Sequence, residues 1–367
     1  MKKKPFFLLI GINICFTFLV FFLFYKRIDT RFDYISTTHK TTSSTSINPL
    51  AFESQLISLV KDSSQSVVSI FADKSVSYSL EDNQGNSLGT TQKEAKVGGG
   101  SGIICSKNGY IITNKHVVED TTAHYTVSLY DGSIRNVDKI WFDDQLDLAF
   151  LRITDKQGKY PKDLSAATFT DLKTSINVGQ FVLAIGNSFA EYTNTTTLGI
   201  ISGKHRQLKL NDNNNLYAGL YQTDAAINPG NSWGPLVTTD GKVIGIVTAV
   251  SRGGTNIGFA LPLNQSFIDA TLDGLTSAKT IVRPLLGVDC KDTSSWNVVV
   301  QVFPDTPADT LLFSGDIITD INNQPISEDL PFLYQLYSYK PWDTLIFTII
   351  RDHKKLQVPL LLWSKSK

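Results

Sequence analysis

The sequence predicts a mostly β protein held to a membrane by one N-terminal helix. Short β-branched runs recur along the chain, among them "SVVSIFA", "SGIICS", "GYIITN", "YTVSLY", "LAFLRI", "FVLAIGN" and "KVIGIVTAV", and Gly, Asn and Asp turns separate them. That spacing is the signature of a sandwich or barrel. At 367 residues the chain is long enough for two domains and a tail. The run from Phe6 to Tyr25 is almost wholly apolar and uncharged. At about 1.5 Å per residue it spans a hydrocarbon core of roughly 30 Å.

The anchor sets the compartment. A cleavable signal peptide is the rival reading, but the apolar stretch is long for one and no small-x-small cleavage site follows it. Lys26 and Arg27 close it, and Lys2 to Lys4 favour a cytoplasmic N-terminus. Everything after Arg27 is therefore expected on the extracytoplasmic side of a cell membrane crossed once. Residues 26–48, with "STTHKTTSSTSIN", are too polar for a core and read as a flexible linker.

Folded structure is expected to begin near Pro49 and to fall into two units, 49–275 and 281–363. Glu81 to Lys96 reads as a long surface loop, and "LNQSFIDATLDGL" has helical spacing that closes the first unit near Leu275. The second unit opens with "RPLLGV". Lys plus Arg equals Asp plus Glu at 34 each, so no global field draws the chain to nucleic acid. Cys15, Cys105 and Cys290 are widely separated, which argues against a disulfide framework and a metal site. No cofactor is expected.

Acyl transfer needs a nucleophile, a base, an orienting carboxylate and aimed N–H donors. "ITNKHVV" sets His116 at the end of an apolar strand, "DQLDLAFLRI" sets Asp147 at the start of another, and "GNS" sets Ser232 in a glycine turn. Each alone is weak: a lone His at a strand end is more often structural, and an Asp before a strand is usually a turn residue. His124, His205, Asp143 and Asp144 compete only if context is ignored.

Context comes from order. "SGIICSKNGYIITNKHVV", "DLAFLRI", "VLAIGNSF", "TDAAINPGNS", "GPLV" and "NIGFALPLN" fall in the sequence and spacing of the HtrA/Deg family of trypsin-like serine proteases, which the chain resembles from about Ser66 to Leu361. "RPLLGV…PADTLLFSGDIITDINNQPI…IIRD" looks like the PDZ domain that follows the protease there. The resemblance implies two six-stranded trypsin-like barrels followed by a PDZ domain. It implies His116 as base, Asp147 orienting it, Ser232 as nucleophile, and an oxyanion hole from the N–H groups of Gly230 and Ser232. With one anchor and one PDZ domain, the layout is similar to the membrane-tethered stress sensors of the family, and a homotrimer is expected.

Specificity follows from the same alignment. Ala226 and Ile227 put no acidic residue at the pocket base, so small apolar residues such as Val or Ala are favoured over Lys or Arg. Asn231, where digestive relatives carry an acid, implies that a freed N-terminal amine does not switch the enzyme on. Leu285, Leu286, Gly287 and Val288 would form the PDZ loop that captures a C-terminal carboxylate, the peptide adding as a strand beside Val288 to Lys291. "SEDLPFLYQLYSY" would be the helix walling that groove. Expected partners are unfolded or signalling protein substrates and C-terminal peptides.

One letter breaks the pattern. In "GNSWGP" Trp233 follows Ser232 where the family has glycine, and a side chain of that size threatens a turn that must hold oxyanion donors to a fraction of an ångström. Trp342 in "KPWDT" stands where a type II turn wants glycine. Trp141 and Trp296 also meet positions where glycine is common, and Trp363 lies in a tail without a counterpart. Leaving Trp233 aside, and with glycine at about 7% of ordinary positions, three such coincidences among the other four have odds of roughly one in a thousand. Some bacteria read UGA as glycine and others as tryptophan, so all five are expected to be UGA codons meant as glycine. The alternative is a catalytically inactive relative that binds peptides as a scaffold or holdase.

Overall fold

Two closed barrels, a smaller sheet and a two-stranded ribbon account for the described strands. The computed structural model describes residues 49–81, 87–187, 195–209, 216–228, 230–250, 256–292, 296–327 and 331–364. The expected anchor at 6–25 and linker at 26–48 lie outside the described residues. Among the described residues no helix is long and apolar enough to cross a membrane. The first helix, α1, runs Pro49–Ser64, and its Leu56, Leu59 and Val60 pack on the core.

The first barrel holds β1 (Val67–Glu81), β2 (Ser87–Ile104), β3 (Tyr110–Thr113), β4 (His124–Ser128), β5 (Ile134–Phe142) and β6 (Ala149–Thr154), closed in the order β1-β2-β3-β6-β5-β4. Alternation drives it. In β4 the buried positions are Tyr125 and Val127, two apart, as a strand with one face inward requires. In β3 all four residues are buried because both faces are covered. Ile111 joins Val68, Ile70, Val127 and Leu151 inside the barrel, while Ile112 packs in a second cluster with Phe150, Leu183 and Ile185. That second cluster reaches into the other barrel, so the seam between the barrels is itself core.

The second barrel closes β7 (Phe181–Gly186), β8 (Thr195–Lys209), β9 (Leu216–Thr223), β10 (Pro235–Thr238), β11 (Val243–Val250) and β12 (Gly258–Pro262) in the order β10-β11-β12-β9-β8-β7. The expected helix is α2, Gln265–Ser277, two residues beyond Leu275. Asn264 caps it by accepting from the Phe267 N–H at 2.9 Å. Phe267, Ile268, Thr271 and Leu275 form its buried stripe.

The loop expected from Glu81 to Lys96 is instead ladder. Residues 87–96 pair antiparallel with β1, from Asp73↔Lys96 to Glu81↔Ser87, which leaves 82–86 outside the described residues. Most of this ribbon is exposed on both faces, so no hydrophobic alternation marks it in the sequence.

The C-terminal unit contains β13 (Pro284–Leu285), β14 (Val288–Asp292), β15 (Asn297–Val302), β16 (Ile317–Ile321), β17 (Gln324–Pro325), the helix α3 (Phe332–Leu336), β18 (Thr344–Arg351), β19 (Lys354–Leu361) and β20 (Trp363–Ser364). Its main sheet runs β14-β15-β16-β18-β19, so β14 is an edge. The groove helix expected over "SEDLPFLYQLYSY" is only five residues long, starting after Pro331 and ending before the turn at Tyr337; 328–330 lie outside the described residues.

Trp342 sits in a turn that its side chain does not suit. Asp343 N–H donates to Lys340 O at 3.2 Å and Trp342 has φ 73°, the value that the third residue of a type II turn demands. Its indole is 65% exposed. Trp141 differs: it lies in β5, its Nε1–H donates to Lys279 O at 2.9 Å, and its ring leans on Tyr110 with centroids 6.1 Å apart. Nothing there calls for glycine.

Candidate active site

The three expected catalytic residues come from both barrels. β3 ends at Thr113 and the chain turns through a short 3-10 segment, Lys115–Val117, that carries His116. Asp147 ends the loop between β5 and β6. Asp143 shapes that loop, its Oδ1 accepting from the Gln145 and Leu146 N–H groups at 2.8 and 3.1 Å. Ser232 lies in the turn ahead of β10 in the second barrel.

His116 and Asp147 are joined as the sequence predicts. His116 Nδ1 and Asp147 Oδ2 are 2.8 Å apart, and the His116 main-chain N–H donates to Asp147 Oδ1 at 3.2 Å. The Asp147 side chain is nearly buried at 8% exposure whereas that of His116 is 40% exposed. A buried acceptor with an open base is what a proton relay to substrate needs: one ring nitrogen is held while much of the ring stays exposed. Asn114 and Thr248, which the sequence did not single out, also reach Asp147 Oδ2, at 3.0 and 3.4 Å.

The nucleophile turn is tightly held. A Cβ on Gly234 would stand 1.9 Å from Ile185 O, and one on Gly186 would stand 2.1 Å from Gly230 O, so the turn lies on β7 with no room for side chains at either point. Asn231 is fully buried; its Nδ2 donates to Ala226 O at 2.9 Å and Thr197 Oγ1 at 3.0 Å, and its Oδ1 accepts from Asn228 N–H at 3.0 Å. Read in the sequence only as a missing acid, Asn231 is thus the pin that ties the turn to the residues expected at the pocket base. Ile227, the other residue expected there, packs toward Gly258: its Cγ1 lies 2.5 Å from where a Cβ on Gly258 would be.

Of the two N–H groups expected to form an oxyanion hole, that of Ser232 is already engaged. Asn228 O accepts from the Ser232 N–H at 3.2 Å, from the Asn231 N–H at 3.2 Å and from Ser232 Oγ at 3.1 Å. Ser232 is thus bonded to Asn228, not to His116, and its N–H has an internal acceptor. Gly230 has φ 139°, a conformation that glycine adopts readily. Presenting the Ser232 N–H to a substrate requires the Asn228 carbonyl to turn away.

Trp233 occupies left-handed backbone, φ 67°. Its ring stands edge-on to His116 with centroids 5.4 Å apart, and its Cε3 lies 2.4 Å from where a Cβ on Gly100 would be. The indole therefore fills ground between the base and the glycine run at the end of β2.

In the C-terminal unit, Leu285 pairs with Trp363, Leu286 and Gly287 form the connection, and Val288 opens edge strand β14. Gly287 has φ 89°, and its carbonyl accepts from Phe303 N–H at 2.9 Å.

Comparison with known proteins agrees with this geometry. Residues 100–246 match the trypsin-like peptidase domain, a span that contains His116, Asp147 and Ser232, and residues 284–362 match the PDZ domain. The chain is 31% identical over 360 residues to the serine protease Do-like HtrA of Lactococcus lactis subsp. cremoris, covering 87% of this chain and 84% of that protein. It belongs to the HtrA family of serine proteases. A second HtrA-type relative, the probable periplasmic serine endoprotease DegP-like of Chlamydia pneumoniae, is 34% identical over 278 residues, 71% of this chain and 54% of that one. The chain spans about half the length of the DegP-like relatives it matches. Among solved structures, the HtrA-type protease AlgW with a decapeptide is 29% identical with a TM-score of 0.57, covering 84% of this chain and 98% of that one.

Proposed function

We propose that this HtrA chain is a serine endopeptidase that cleaves unfolded or signalling proteins after small apolar residues. The His116–Asp147 pair at 2.8 Å, set beside the turn that carries Ser232, is the observation that carries the reading. His116 Nε2 takes the Ser232 proton as Oγ attacks the scissile carbonyl, Asp147 holds the Nδ1–H tautomer and faces the imidazolium that forms, and His116 then returns the proton to the leaving amine. Gly230 and Ser232 N–H groups stabilise the oxyanion once the Asn228 carbonyl has rotated away. Ala226 and Ile227 floor a shallow apolar pocket.

The domain limits proposed are 49–275 for the protease and 281–363 for the PDZ domain. Edge strand β14 and the loop Leu285 to Val288 support capture of a C-terminal peptide, which adds as a strand and alters the cleavage rate. The AlgW structure with a decapeptide supports a peptide-binding role by likeness. The apolar run 6–25 supports a single anchor with the catalytic part extracytoplasmic, and relatives named periplasmic agree with that side. Assembly as a homotrimer in quality control or stress response is proposed on family likeness.

Activity depends on position 233. The φ of 67° supports glycine there in the natural protein, where the Trp233 ring otherwise stands in contact with His116 and beside Gly100. The same contact favours a second reading, an inactive relative that binds peptides, should tryptophan be genuine. The test is cleavage of an unfolded protein together with fluorophosphonate labelling of Ser232, in the chain as it stands, in Trp233→Gly and in Trp233→Gly/Ser232→Ala. Cleavage and labelling in Trp233→Gly that both vanish with Ser232→Ala support the proposal. An inert Trp233→Gly chain sinks it.

A further inference from the structure

We infer that edge strand β14 reads charge in the peptide it captures: a basic side chain next to the last residue, an acidic one fourth from the end. The inference rests on the peptide-capture reading above. Two carbonyls set where the peptide's C-terminus sits. Leu286 O accepts from the Ala308 N–H at 3.0 Å and Gly287 O from the Phe303 N–H at 2.9 Å. In a trans peptide a carbonyl and the N–H that follows it point opposite ways, so the N–H groups of Gly287 and Val288 are turned away from those partners. They are the donors that a carboxylate would meet. A peptide whose last residue is held there starts level with Val288 and runs antiparallel to β14.

Register then assigns the side chains. Level with Val288, Asp289, Cys290 and Lys291 come the peptide's last four residues in reverse order, and residues paired across two strands project to the same face. Val288 and Cys290 pack against the core, Cys290 opposite the buried Val299. Asp289 and Lys291 are exposed on the other face. The last and third-from-last side chains of the peptide therefore turn toward the core and should be apolar. The second- and fourth-from-last stand beside Asp289 and Lys291.

Sign decides the preference. On β15 the residues opposite Asp289 and Lys291 are Gln301 and Val298, so neither charge is neutralised across that pairing. An added strand supplies the neighbours on the open side. Opposite charges directly across two strands attract and like charges repel. Charges on an edge strand also guard against sheet-to-sheet aggregation, a role that either sign would fill. Here the sign alternates, so a basic residue next to the last and an acidic one fourth from the end meet an attracting partner each. The reversed order meets two repelling ones.

The test is fluorescence anisotropy of two decapeptides, labelled at the N-terminus, on the full chain carrying Ser232→Ala to prevent cleavage. They share composition and net charge, one ending Glu-Ala-Lys-Val and the other Lys-Ala-Glu-Val. The first should bind about tenfold more tightly at low ionic strength, and the gap should narrow in about 0.5 M salt. Asp289→Lys combined with Lys291→Asp, both on the exposed face, should reverse the order. Equal affinities for the two free acids, with the amidated form of the first binding weakly, overturn the charge reading and leave peptide capture standing. A preference that the double substitution does not reverse overturns it as well. Binding of neither free acid overturns both readings.

Discussion

Arg283 Nε and Nη2 both end on Asp143 Oδ2, at 2.9 and 2.6 Å, across 140 positions of sequence. The pair is buried, with side-chain exposures of 5% and 0%, and the guanidinium also donates to Thr271 Oγ1 and lies over the rings of Phe267 and Tyr337. One side chain thus joins the loop that leads to Asp147, the helix α2 and the PDZ domain. Burial pushes the Tyr337 hydroxyl up to about 12, so it stays a neutral neighbour of that charge.

Removing one partner of such a pair leaves an uncompensated buried charge. Arg283→Met should lower stability by about 3–5 kcal/mol, and adding Asp143→Asn, which removes the charge but keeps the Oδ1 acceptor for the Gln145 and Leu146 N–H groups, should restore part of it. Urea unfolding measures both. A loss below about 1 kcal/mol for Arg283→Met would class the pair with surface ion pairs.

On the proposed reading, pocket depth rests on Ile227. Because its Cγ1 stands 2.5 Å from the Cβ position of Gly258, shortening it to alanine opens space over a residue that has no side chain to fill it. Ile227→Ala in a Trp233→Gly background should shift cleavage from Val and Ala toward Leu, Met and Phe. The kcat/KM ratio of Leu to Val peptides should rise by roughly 10- to 200-fold. An unchanged ratio would place the pocket floor elsewhere.

Trp233 and Trp342 share left-handed backbone, φ 67° and 73°. Each costs a bulky residue about 1–2 kcal/mol, so Trp342→Gly should raise stability by about 1 kcal/mol in thermal unfolding. Codons 233 and 342 should be UGA in the gene. The packed, hydrogen-bonded indole of Trp141 singles it out from these two and leads us to expect UGG there. UGG at codon 233 would end the glycine reading and leave the inactive relative in front.

Edge strand β14 could pair with any extended peptide, and the loop Leu285 to Val288 is the element proposed to single out a carboxylate. A peptide with a free apolar C-terminus should bind the chain and change its cleavage rate, whereas the amidated version should bind at least tenfold more weakly on the order expected for a lost charge-assisted contact. Calorimetry that finds equal affinities contradicts this.

What the sequence showed was whatever repeats locally. Strands with one buried face announce themselves by alternation, as Tyr125 and Val127 do, and the order of the His116, Asp147 and Ser232 segments carried the site. What it hid were elements with no buried face and residues whose partners are distant. Residues 87–96 form a ladder that exposes both faces, so polar letters concealed a strand. Asp143 stood in the sequence only as a competitor to Asp147 because its partner Arg283 is 140 positions away, and Thr248 lay unremarked within "KVIGIVTAV" because Asn114 is 134 away. The engagement of the Ser232 N–H by Asn228 is a matter of conformation, to which composition is blind.

His116 and Asp147 belong to the first barrel and Ser232 to the second, and that division bears on how the chain is made. Synthesis runs from the N-terminus, so the first barrel can fold while the nucleophile is still on the ribosome. A nascent or truncated chain then carries a base and its carboxylate but no serine to activate. On the proposed mechanism the chain cannot cut until the second barrel has folded around Ser232, so foldedness itself would stand where a propeptide does in a zymogen.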